Sequence, residues 1–254
     1  MGARQVVKRQ LRRLGLDVRR HRPGFTFAER RQGWIERLDV DTVIDCGAHR
    51  GAWARALRVD GFEGRILSFE PLSTSYRELA EEASADPLWD ARRLALADRP
   101  GREQMNISAN DSSASSLLPL RPGFSPDART VATEVVEVAR LDEVVEPEDL
   151  GRTFVKCDVQ GAEARLLGGA QGVLERTLLL QIELALVERY EGQALFADIV
   201  DRLEGMDFHL VDLDRVYADW RTGKLIEVDG LFVEGSAAIA AQAGLAASPD
   251  PWTS

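Results

Sequence analysis

The chain has 254 residues, with 32 basic against 42 acidic side chains and a formal net charge of −10. That length can bury one substantial core, and the acidic balance argues against a dedicated nucleic-acid binder. No run of about 18 apolar residues is present, so no membrane-spanning helix is expected. The N-terminus lacks an apolar signal core, which points to the cytoplasm.

Met1 to Arg31 is basic: Arg4, Lys8, Arg9, Arg12, Arg13, Arg19, Arg20, Arg22, Arg30 and Arg31 stand against only Asp17 and Glu29. Val6, Val7, Leu11, Leu14 and Leu16 form a roughly helical apolar stripe, and Phe25 to Leu38 reads as a second helix. Residues 1–38 are therefore expected to be a helical extension on the edge of a domain spanning 39–236. Its basic face is either solvated or in contact with an anionic partner, and its helices can mediate a homodimer.

Thr42-Val43-Ile44 is a β-branched run that ends at Asp45 and turns through Cys46-Gly47-Ala48-His49-Arg50-Gly51. Ala52 to Val59 has the composition of a helix. A second apolar run, Ile66 to Phe69, ends at Glu70-Pro71. A strand, a glycine turn, a helix and a second strand make a nucleotide-binding βαβ unit. Gly47 and Gly51 let the backbone approach a ligand, and the helix N-terminus offers free N–H groups. Glu70 is placed to take both hydroxyls of a ribose. The D-x-G-A-x-x-G spacing, with an acid inside the loop, repels a pyrophosphate and suits the amino-acid end of S-adenosylmethionine. A nicotinamide dinucleotide is the lesser alternative, because it prefers G-x-G-x-x-G.

Ser73 to Ala85 reads as a helix, and Leu94 to Ala97 as a short third strand followed by Asp98 and a turn at Pro100-Gly101. Asp98 is either a receiver for an adenine amino group or a plain turn carboxylate. From about 99 to 140 the rhythm breaks into two strands, Gln104 to Ser108 and Thr133 to Val138. The polar stretch Asn110 to Ser116 between them is either a surface loop or a lid over the acceptor. Alternation then resumes. Leu141 to Leu150 reads as a helix. Thr153 to Cys157 is a strand ending in Asp158, and a turn at Val159 to Glu163 leads into a helix to about Leu174. Leu178 to Ile182 is a strand ending in Glu183, and Leu195 to Leu203 is a helix. Phe208 to Leu213 and Gly230 to Val233 are the last strands, with a loose tail over 237–254. Cys46 and Cys157 read as small buried residues, close together if their strands are neighbours. His21, His49 and His209 are the only histidines, and no His/Cys cluster has zinc spacing.

Asp45 to Gly51, Ser68-Phe69-Glu70-Pro71 and Phe154 to Glu163 together give the chain a resemblance to the FkbM family of methyltransferases. Ser112 to Pro119, Leu141-Asp142, Leu166 to Ala170, Ile182-Glu183, Tyr190 to Gln193 and Asp229 to Val233 extend it over roughly residues 40–234. The resemblance implies a class I, Rossmann-like, doubly wound α/β fold: a seven-stranded, mostly parallel sheet with one late antiparallel strand. It also implies O-methylation, by S-adenosylmethionine, of a hydroxyl on a sugar, glycan or natural-product small molecule. His49 stands where the family's loop usually has Asn, and Gln160 where it often has Glu. The expected donor-binding residues are Asp45, Gly47, Ala48, His49, Gly51, Glu70, Pro71, Asp98 and Asp158. Asp158 and Glu183 are the catalytic candidates, with Glu163 behind them. Acids at strand ends can hold Mg²⁺, but sequence alone does not assemble such a site. A non-catalytic donor-binding module is the alternative from a different class.

Overall fold

The protein is described from a computed structural model covering residues 24–121, 129–219 and 221–239, with Val7, Gln10, Leu11 and Arg13 helical ahead of them. Most of the expected first helix and its basic residues, and the tail beyond residue 239, lie outside the described residues.

Five strands form a parallel sheet in the order β3 (Trp89–Arg92), β2 (Arg65–Phe69), β1 (Thr42–Cys46), β7 (Thr153–Cys157) and β8 (Thr177–Ala185). Beyond β8 come β10 (Leu225–Glu234), antiparallel to both neighbours, and then β9 (Phe208–Ala218) at the edge. The central strands β1 and β7 are buried at every position, as a sheet covered on both faces requires.

Alternate residues feed two apolar layers. Val43, Ile66, Phe154, Leu179 and Leu231 pack against α1 (Phe27–Arg37), α2 (Ala52–Val59) and α3 (Ser73–Ser84). Ile44, Leu67, Val155, Leu180 and Ile182 pack against α4 (Leu141–Val144), α5 (Glu163–Gly168), α6 (Gln171–Leu174) and α7 (Phe196–Glu204). Helix α1 starts at a capping box: Thr26 Oγ1 accepts from Glu29 N at 3.2 Å, and Glu29 Oε2 accepts from Thr26 N at 2.9 Å. Two free donors are satisfied reciprocally in this way. Phe27, Ile35 and Leu38 lie in the same core layer as Val43, so α1 belongs to the core of the domain.

The insertion is a separate three-stranded sheet in the order β4 (Ala95–Leu96), β6 (Thr130–Ala139) and β5 (Gly101–Ser108). It packs through Ala95, Met105, Val136 and Val138 against Leu72 and Ala97. Glu134 ties it to the start of α3, accepting from Ser73 N and Oγ, each at 3.0 Å.

Several expected boundaries move. The sheet's third strand is Trp89–Arg92, while the Leu94 to Ala97 run supplies β4 of the small sheet. The helix expected over Leu141 to Leu150 stops at Val144. Pro147 opens a 3₁₀ turn, and Glu146 before it is extended, as a residue preceding proline prefers. The helix expected to run to Leu174 breaks in two at Gly169-Ala170. A Cβ at Gly169 would come within 2.0 Å of the Ala97 carbonyl oxygen, so this break lets the insertion's backbone pack closely.

Candidate functional site

The site lies at the carboxyl edge of β1, β2 and β7. The chain leaves β1 in a turn with left-handed backbone at Gly47 (φ 82°), His49 (φ 49°) and Gly51 (φ 76°). A Cβ at Gly47 would fall 1.8 Å from the Asp158 carbonyl oxygen. Glycine is therefore required both for its φ and for the close approach of the two loops. Gly47 N and Ala48 N both donate to Phe69 O, at 3.0 and 2.9 Å, which binds the turn to the end of β2. Gly51 caps α2 with no side-chain bond.

Glu70 follows β2 and is buried. Its Oε2 accepts from His49 N and its Oε1 from Leu72 N, each at 2.9 Å. Burial lifts its carboxyl to about 7, against the pull of those two N–H groups. Each oxygen keeps a further acceptor position.

Around these groups lies a cleft lined by Gly47, His49, Glu70, Pro71 and Asp158. Its apolar lining is Phe69, Leu72, Leu94, Leu96, Met105 and Leu117. The polar stretch of the insertion covers it, with Ser112, Ser113 and Ser115 in the wall. Arg50 fastens that stretch through a two-pronged contact with Asp111 at 2.8 and 2.7 Å. His49 Nε2 lies 3.1 Å from Asp111 O and 3.2 Å from Ser112 Oγ.

Asp45 does not line the cleft; it is fully buried below it, 3.2 Å from Lys156 Nζ. Burial raises the Asp45 carboxyl, and Lys156 opposes the rise. Burial likewise works against the Lys156 charge, but Asp45, Asp158 and Asp229 outweigh it and hold the ammonium above its ordinary value. Lys156 also lies 5.5 Å from the ring centre of Trp53, which Arg31 approaches at 5.0 Å. Lys156 was absent from the expected site, although a charged residue inside the strand Thr153–Cys157 was visible in the sequence.

Asp98 also lies off the cleft. With the third strand relocated, its carboxylate is taken by Arg165, at 2.9 Å. Ala48 and Gly51 shape the turn without lining the cleft. Glu183 is buried behind Gln160. Burial first, then Asp158, Glu227 and Glu163, push its carboxyl well above the usual range. Glu163 turns back to accept from Val159 N at 3.1 Å and Gly161 N at 3.2 Å, closing the turn after β7. Among the described residues no group of three or more His, Cys, Asp or Glu converges as a metal site. No helix among them is long and apolar enough to cross a membrane.

The strand order, the one reversed strand and a cleft between a glycine turn and an acid after β2 define the class I methyltransferase fold. Within that class the chain belongs to the FkbM methyltransferase family, whose domain matches residues 45–210. None of the curated proteins compared matches it. Among solved structures it is similar to an rRNA methylase from Streptococcus thermophilus, at 11% identity over 85% of this chain and 99% of that one, TM-score 0.45. It is also similar to magnesium protoporphyrin IX methyltransferase from Synechocystis PCC 6803, a structure with bound S-adenosylmethionine. There the identity is 11% over 92% of this chain and 98% of that one, TM-score 0.41.

Proposed function

We propose that the protein is an S-adenosylmethionine-dependent methyltransferase acting on a hydroxyl of a sugar, glycan or natural-product small molecule. The observation that carries this reading is Glu70: a buried carboxylate, anchored by two backbone N–H groups, lining a cleft that several apolar side chains also line. The cleft fits the donor. Glu70 would take the ribose hydroxyls, and Leu94, Leu96, Met105 and Leu117 would enclose the adenine. The turn at Gly47 to His49, together with Asp158, would receive the amino-acid end.

The bound donor supplies a methyl group already activated on a sulfonium, so the protein's task is alignment and exclusion of water. The stretch from Asn110 to Leu117 shields the cleft. Asp158 is the carboxylate on the cleft wall, where it orients the donor's amino group or accepts a hydrogen bond from the acceptor hydroxyl. Glu183, whose carboxyl burial pushes well above the usual range, lies behind Gln160 and would reach the acceptor only through it. Carboxylates in the wall favour an acceptor that donates hydrogen bonds, as hydroxyls do.

The test is calorimetric titration of wild type and Glu70→Ala with S-adenosylmethionine, S-adenosylhomocysteine and NAD. Loss of the two-hydroxyl contact should cost on the order of 1.5–3 kcal/mol, about tenfold or more in affinity. A mass shift of one methyl in a hydroxylated acceptor library then completes the assignment. A folded wild type that binds NAD and neither methionine derivative would overturn it.

A further inference from the structure

The turn after β7 carries a polar side chain in the cleft lining. Gln160 lines the cleft with left-handed backbone, φ 52°, which is uncommon for a residue with a Cβ. Its amide is engaged on both sides. Nε2 donates to Asp158 Oδ1 at 2.8 Å and to Glu183 Oε2 at 3.1 Å. Oε1 accepts from the Tyr190 hydroxyl at 2.9 Å. The contact with Asp158 decides which way the amide points: a carboxylate only accepts, so Nε2 faces Asp158 and Oε1 is left toward the Tyr190 hydroxyl.

Tyr190 is itself held in place. It is fully buried, and a Cβ at Gly161 would lie 2.6 Å from its ring. Its hydroxyl is also 3.1 Å from the Ala114 carbonyl in the stretch that covers the cleft. Asp158, by contrast, has a competing partner: Lys156 Nζ lies 3.4 Å from its Oδ2, on the side of buried Asp45. Without the Gln160 N–H, the ammonium would draw the carboxylate away from the cleft and neutralise it.

We infer that Gln160 is a positioning residue that holds the Asp158 charge on the cleft wall, where it favours a donor with a cationic sulfur. The inference rests on the methyl-donor reading of the cleft. S-adenosylmethionine and S-adenosylhomocysteine differ by the methyl group and the positive charge it places on sulfur. The ratio of their affinities therefore reports the local charge, while losses common to both ligands cancel.

The experiment measures both affinities by calorimetry for wild type, Gln160→Met and Tyr190→Phe. In Gln160→Met both ligands weaken to the extent that Asp158 meets the amino group they share, and S-adenosylmethionine should lose at least about fivefold more affinity than S-adenosylhomocysteine. Tyr190→Phe removes the group that orients the amide and should move the ratio in the same direction by less. It carries the test if Gln160→Met fails to fold. A purely structural role would weaken both ligands by the same factor and leave the ratio unchanged. If wild type binds both ligands and neither variant changes the ratio, the inference is overturned alone. If folded wild type binds neither, the donor reading fails and the inference with it.

Discussion

Glu70 links proton uptake to ligand binding. Its carboxyl is pushed up to about 7 by burial, and ribose hydroxyls donate to the ionised form. Protons therefore compete with the donor, and affinity should be full above pH 7 and fall as pH drops through it. With that value, S-adenosylmethionine should bind roughly tenfold more weakly at pH 6 than at pH 8. Glu70→Gln should bind more weakly overall but with little pH dependence. Equal affinity of wild type at the two pH values would disconnect Glu70 from the ligand. Glu70 and the Gly47 turn were legible in the sequence because strand ends and glycine spacing are local signals. The contact between Tyr190 and Ala114 was not, because it joins segments far apart in the chain.

The turn from β7 into α5 stores a cost that depends on pH. Burial lifts Glu163 to about 8 against the bonds from Gly161 and Val159. A folded-state value above the ordinary 4.5 means that this group's contribution to stability is full below about pH 4.5. It is lost as pH rises through about 8. Glutamine can accept the same two N–H bonds and does not ionise. Glu163→Gln should therefore melt at least about 5 °C above wild type at pH 9, with the gap closing toward pH 6. Scanning fluorimetry across that range reads the difference, and a constant gap would rule out the ionisation of Glu163 as its source.

The strands buried at every position, β1 and β7, or at all but one, β2 and β8, were readable as apolar runs. The third strand was not. Trp89-Asp90-Ala91-Arg92 lies at the sheet edge with two charged residues, so it has no apolar run to announce it. The more apolar Leu94 to Leu96 segment instead lines the cleft.

Across the whole molecule, α1 closes one face of the sheet. Arg30 engages Asp212 of the edge strand, and Arg31, buried at 5% exposure, reaches Gln181 at 3.3 Å. A chain lacking residues 1–38 would expose Trp53, Phe154 and the Gln181–Asp229 pair to water. It should aggregate or melt at least about 10 °C lower by circular dichroism. A shortened chain that melts like the full one would mean the helix is dispensable. Trp34, Ile35 and Leu38 mark Phe25 to Leu38 in the sequence as a helix that covers the sheet ahead of the first strand; which face it covers depends on the fold, which local sequence does not give.

Cys46 and Cys157 face each other in the β1–β7 register, both free and both buried. Burial, and then the neighbouring thiol, push Cys46 well above the ordinary thiol range, so in the folded state it is chemically silent toward alkylating reagents. A reagent gains access when the two central strands part. The alkylation rate is then a clock for rupture at the middle of the sheet, a motion that surface probes do not see. Any compound that occupies the cleft should slow that clock in proportion to its occupancy. The chain thus carries its own assay for unknown ligands, one that needs no turnover and no acceptor.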